Sequence, residues 1–143
     1  MKMFIIDTNA LLSFVTDRNH EQQEKVSTLF EQAARSKCTI HFHQHVISEF
    51  IYVLEKVYHH SKTSINRMIA DLISMPGIEI RDDLNYKVVL NDWPAMISDF
   101  GDAVVASLWR SIREASIVTF DKKFIKELKQ IGAEIYMTNA DGE

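Results

Sequence analysis

Apolar positions along the chain recur with two different periods. Short runs rich in Ile, Val and Phe stand at residues 3–6, 39–42, 78–80, 117–120 and 135–137, the length and composition of buried strands. Between them apolar residues recur three and four apart, as on a helix buried along one face. Val26, Leu29 and Ala33 form such a stripe over 21–35, and Val46, Phe50, Leu54 and Val57 form the next. "MPGIEI" marks a turn into the third strand, and a helix over 87–93 stops near Pro94, because proline disfavours helical backbone in the residue before it. Strands alternating with helices predict an α/β domain with a mainly parallel sheet covered by helices on both faces. Sheets of this kind bind ligands at the carboxyl ends of their strands. Asp7 ends the first strand in "IIDTNALL" and Asp121 follows the fourth in "IVTFDKKF", so both stand at that edge.

Two further acids belong to helices. In "DFGDAVVASLWRSI" the apolar face runs through Val105, Leu108, Trp109 and Ile112, and Asp102 heads that inward stripe. Asp99 suits the N-cap, and Asp102 also fits an acid in the first turn, favoured by the helix dipole. Glu49, between Val46 and Val53, lies at the edge of its apolar stripe and can reach a cleft at the sheet edge, although a surface salt bridge is equally open to it. Glu55 falls on the far side and reads as a solvated charge. Like charges about 5 Å apart repel by roughly 3 kcal/mol per pair at an effective dielectric near 20. Gathering Asp7, Glu49, Asp102 and Asp121 at one edge therefore requires a counter-ion. Ligands that are all oxygen suit Mg²⁺ or Mn²⁺ better than zinc, and such an ion activates water and neutralises charge on a phosphodiester.

Composition narrows the reading. A length of 143 residues, 46% hydrophobic, fits one domain over 1–143 that buries about two-thirds of its unfolded surface. The single cysteine, Cys38, excludes an intramolecular disulfide. With no charged leader and no apolar run near the roughly 18 residues needed to span a bilayer, a cytoplasmic protein without membrane contact is expected. The net charge of −4 does not advertise nucleic-acid binding, so local charge must decide. Lys122, Lys126 and Lys129 share a face of the helix after Asp121, beside Lys123, and Arg110 and Arg113 lie downstream of Asp102. Arg110, Lys122 and Lys126 are candidate phosphate contacts, against the simpler reading of a solvated face. His41, His43 and His45 alternate in "HFHQHV"; a strand ending near residue 42 sends them apart, so they read as edge and helix-start residues and not as zinc ligands. Trp93 and Trp109 read as core.

Taken in order, "FIIDTNALL", "SEFIYVLEK", "DFGDAVVASLW" and "IVTFDKKF" resemble the four acidic motifs of the PIN-domain nucleases, especially the VapC-like ribonucleases of bacterial and archaeal toxin–antitoxin systems. The resemblance spans nearly the whole chain. It implies a five-stranded sheet in the order 3-2-1-4-5 and makes Asp7, Glu49, Asp102 and Asp121 the catalytic acids that bind Mg²⁺ or Mn²⁺. Thr8, Asn9, Thr119 and Asp99 match supporting positions, although Thr119 also suits a plain β-branched strand residue. The implied activity is endonucleolytic hydrolysis of RNA by water, leaving 5′-phosphate and 3′-hydroxyl ends. The implied biology is a homodimeric toxin silenced by a small antitoxin protein, with exposed apolar residues over 63–73 as one candidate dock. Two alternatives share the fold: a catalytically inactive PIN-like binding module, and a housekeeping PIN ribonuclease without an antitoxin. A phosphotransferase of the haloacid dehalogenase type also begins with a strand-end aspartate, but it wants a second aspartate where this chain has Asn9.

Overall fold

The computed structural model describes residues 1–136. Strand β1 (Lys2–Ile6) runs into α1 (Thr8–Val15) and α2 (His20–Ala34). Then come β2 (Cys38–His43), α3 (Gln44–Lys56), α4 (Lys62–Ile73), β3 (Ile78–Arg81), α5 (Tyr86–Asp92), α6 (Phe100–Ser111), β4 (Ala115–Val118) and α7 (Lys122–Gln130). The four strands are parallel in the order β3-β2-β1-β4. Parallel neighbours cannot be joined by a hairpin, so every crossover carries helix and the sheet is sandwiched. Every residue of β2 and β4 is buried, which is why these strands are written as near-continuous apolar runs.

The expected fifth strand is reduced to one residue pair among the described residues. Ile135 bridges Ile117 in parallel, with the Ile117 amide donating to the Glu134 carbonyl and the Tyr136 amide to the Ile117 carbonyl, each at 2.9 Å. The chain thus passes beside β4, where the order 3-2-1-4-5 puts it, without extended pairing; Met137 lies outside the described residues. Three other expectations change. Strand β2 continues through His43, so His41 and His43 share a face. Val57 caps α3 and is 60% exposed, so that helix's inward stripe ends at Leu54. Ile80 is 41% exposed, because β3 is an edge strand.

The largest fully buried side chains include Phe42, Phe50 and Phe124, which pack β2, α3 and α7 into a common core. The turn into β3 depends on Gly77, whose φ of +82° is accessible chiefly to glycine and whose missing Cβ would stand 2.7 Å from Ala33 Cβ. Among the described residues no helix is long and apolar enough to cross a membrane.

Candidate functional site

Strands β1 and β4 pair from Met3↔Ala115 to Ile6↔Val118, and the Asp7 amide extends the ladder by donating to the Val118 carbonyl at 3.2 Å. The exits of both strands, and with them Asp7 and Asp121, are therefore neighbours. Each aspartate also starts a helix. Asp7 Oδ1 accepts from the Ala10 amide at 2.8 Å to cap α1, and Asp121 Oδ1 accepts from the Phe124 amide at 3.0 Å to cap α7. Asp99 does the same for α6, accepting from the Asp102 amide at 3.0 Å. Three helix N-termini thus face one cleft, and their amides and positive dipole ends offset part of the repulsion among the acids.

Small polar side chains hold this frame. The Thr8 hydroxyl donates to Glu49 Oε1 at 2.9 Å, and Glu49 Oε2 lies 3.6 Å from His45 Nε2. Asn9 Oδ1 accepts from the Phe120 amide at 3.0 Å, fastening the start of α1 to the exit of β4. Thr119 is fully buried; its hydroxyl accepts from the Asp121 amide at 3.1 Å and stands close enough to the Asp7 carboxyl to favour its charged form, between the two strand-end acids. Gly101 lets α6 come close to α3, since a Cβ there would stand 2.7 Å from Glu49 Oε2 and 3.0 Å from His45 Nε2.

The resulting cleft has a volume of about 490 Å³, and Asp7, Glu49, Asp99, Asp102 and Asp121 all line it. Burial raises the Asp7 pKa to about 7; the Thr119 hydroxyl and the Ala10 amide pull the other way, and the charges of Asp121 and Glu49 add to the rise. Burial also raises Asp102 to about 8, reinforced by Asp99, Asp7, Asp121 and Glu49 in that order. Both values rise because these carboxyls are buried and crowded by like charge. The carboxylates feel one another without closing on a point: among the described residues no three His, Cys, Asp or Glu side chains form a ready metal-binding group. Glu49 is turned toward Thr8 and His45 instead.

The cleft also gathers Thr8 and Asn9 from the expected set, with Thr119 in the wall behind Asp7. Arg110 is not there. Its guanidinium makes a two-pronged pair with Asp92, at 2.8 and 3.1 Å, and lies over the Trp109 ring. Asp92 is buried, so Arg110 serves packing, far along α6 from Asp102. Lys122 and Lys126 are exposed on α7, outside the cleft lining. Trp93 and Trp109 are half-buried against the core. Glu55, expected as a solvated charge, pairs with Lys62. The three histidines have separate partners. His43 Nδ1 accepts from the His45 amide, so its Nε2 carries the proton and donates to the Asp83 carbonyl at 2.9 Å; His41 is buried beside Glu79, and His45 turns to Glu49.

Sequence reasoning missed Arg18, Ser48, Tyr52 and Gly101, all of which line the cleft. Tyr52 had a signal, since it stands one turn beyond Glu49 on the same helix face. Arg18 had none, because it reaches the site from the α1–α2 loop.

The PIN domain model matches residues 4–128. No curated protein matches in sequence. Among solved structures, a chain of the VapBC2 complex of Rickettsia felis, bound to a DNA fragment from its promoter, has a TM-score of 0.66 at 18% identity, covering 93% of this chain and 96% of that one. VapC20 of Mycobacterium tuberculosis, a sarcin-ricin loop cleaving toxin, has a TM-score of 0.61 at 14% identity, covering 91% and 95%. A chain of DNA-bound VapBC from Salmonella typhimurium has a TM-score of 0.62 at 17% identity, covering 94% and 96%. At these identities the likeness is one of fold. The family match covers most of the chain and includes every acid of the cleft, from Asp7 to Asp121, and on that match the chain belongs to the PIN domain family.

Proposed function

We propose that this chain is a Mg²⁺- or Mn²⁺-dependent endoribonuclease acting as the toxin of a toxin–antitoxin pair. The observation that carries the reading is the cleft itself: acids from four separate segments share one cleft at the carboxyl edge of the sheet, two of them with strongly raised pKa values. Perturbed carboxylates that converge in a cleft mark reaction centres.

The donor chemistry fits a hard divalent cation. Every candidate ligand is a carboxylate, and the caps of Asp7 and Asp121 occupy Oδ1 of each, leaving Oδ2 outside the cap. Asp7, Glu49, Asp102 and Asp121 would hold the ion, which when bound neutralises charge on a phosphodiester and makes water a better nucleophile. The remaining work falls to the chain. Thr8 fixes the Glu49 carboxylate, Thr119 holds Asp7 and Asp121 in a common frame, and Asn9 locks the strand exit that carries Asp121. Hydrolysis at this site would leave 5′-phosphate and 3′-hydroxyl ends.

The toxin role draws support from the fold shared with VapBC chains of two bacteria and with VapC20, a sarcin-ricin loop cleaving toxin. It brings with it a small antitoxin partner and a homodimer. The test is induced expression in a bacterial host. Wild-type protein is expected to arrest growth and deplete intact RNA, Asp7→Asn to do neither, and co-expression of the small neighbouring open reading frame to restore growth. Unimpaired growth with cleavage retained in vitro would replace the toxin by a housekeeping PIN ribonuclease.

A further inference from the structure

Among the described residues, Arg18 is the one cation that lines the cleft, yet it pairs with none of the acids around it. Its Nε donates to Ser13 Oγ at 3.0 Å and its Nη2 to the Asn9 carbonyl at 2.6 Å. Both anchors are neutral, and both are fixed. Ser13 is fully buried and its hydroxyl donates onward to Gln22 Oε1 at 2.7 Å, which turns its lone pair toward Arg18. Asn9 is fastened through its own side chain to the Phe120 amide. A guanidinium carries five N–H donors in a rigid fork; two are used here, and Nη1 makes no hydrogen bond among the described residues.

An arginine placed only to neutralise the acids would be drawn onto one of them, because the fork pairs best with a carboxylate in two-pronged fashion. This one is held back by neutral acceptors, with its side chain exposed at the cleft and its remaining donors meeting no acceptor among the described residues. A cleft lined by five acids repels a polyanion, and a fixed cation at its wall is what a phosphate needs in order to enter. We propose that Arg18 is a substrate-binding residue that grips a backbone phosphate of the RNA entering the cleft, with Ser13, Gln22 and the Asn9 carbonyl holding its guanidinium ready. This assignment rests on the ribonuclease reading above and adds the group that recognises the substrate.

Binding and cleavage are measured separately so that the two claims fail independently. Affinity for a labelled single-stranded RNA is followed by fluorescence anisotropy across a salt series, comparing Asp7→Asn protein with the Asp7→Asn/Arg18→Gln double variant. Cleavage kinetics compare wild type with Arg18→Gln and Arg18→Lys. Arg18→Gln is expected to raise Kd and KM about tenfold, leave kcat within about twofold, and lower the slope of log affinity against log salt by about one. Arg18→Lys is expected to keep the slope and lose only part of the affinity. A protein that cleaves RNA but shows unchanged Kd and salt slope in Arg18→Gln overturns the assignment and leaves the ribonuclease reading intact. Arg18-dependent RNA binding by a protein that cleaves nothing does the reverse. A fall in kcat alone overturns it as well, making Arg18 a latch on the α1–α2 loop.

Discussion

Asp7 carries two duties that pull against each other. As an N-cap it stabilises α1, and as a buried anion among other acids it destabilises the fold. Asparagine separates the two, because it caps about as well and carries no charge. Asp7→Asn is therefore expected to abolish cleavage, by at least about 100-fold, while keeping or raising the metal-free melting temperature; a large loss of stability would show that the carboxylate is not under repulsion. Asp102→Asn is expected to behave alike. Asp99→Ala removes a cap without removing an acid of the central set, and should cost about 1 kcal/mol of stability with a milder loss of activity. An essential Asp99 beside a dispensable Asp102 would reverse these roles. The raised pKa values also set a pH dependence. Asp7 at about 7 and Asp102 at about 8 bind protons more tightly in the folded chain than their ordinary value of 3.8, so the folded state holds the extra protons above pH 4. The stability contributed by these two protonated carboxyls is then fully present below that value, declines as pH rises, and is gone once pH passes 7 to 8. Melting in EDTA from pH 5 to 9 should show this decline, and millimolar Mg²⁺ or Mn²⁺ should reduce it by binding only the native state; a flat profile in EDTA would contradict the burial of these charges.

At the scale of elements, Gly101 sets how near α6 comes to Glu49. Gly101→Ala forces a methyl group to within 2.7 Å of a flexible carboxylate, which can swing aside. Stability should stay within about 1 kcal/mol of wild type, while activity falls by up to about 100-fold because the carboxylate is displaced; unchanged activity would remove Glu49 from the site. The Arg110–Asp92 pair makes the opposite case. Arg110→Ala leaves Asp92 buried without a partner and should cost on the order of 3 kcal/mol, with cleavage by the folded protein unchanged; a rise in KM without loss of stability would return Arg110 to the substrate. These two elements show what the sequence could and could not convey. The strand exits at Asp7 and Asp121 were legible because apolar runs that end on a capping aspartate are a local signal, and the stripe under Asp102 was legible from its helical period. Arg110 was misread because its partner Asp92 belongs to another helix, and charge near a motif says nothing of which acid it will meet. Arg18 was invisible for the same reason, since its anchors at Asn9 and Ser13 become neighbours only when the chain folds back after α1. The fifth strand was overdrawn because an apolar run signals burial beside β4 without saying how many residues pair.

For the whole molecule, a modest net charge of −4 conceals a strongly uneven surface. Five acids line the cleft at the carboxyl edge of the sheet, and the lysines of α7 stay outside it. If RNA is the substrate, its binding should be salt-sensitive and metal-assisted, since an acidic cleft repels a polyanion. Whether this edge is a metal-dependent ribonuclease is read from the rate of RNA cleavage by purified protein as a function of Mn²⁺ concentration. The expected result is no cleavage in EDTA, a rate that rises and saturates with Mn²⁺, and no activity for folded Asp7→Asn at any concentration. Cleavage that persists in EDTA, or that survives Asp7→Asn unchanged, would contradict it.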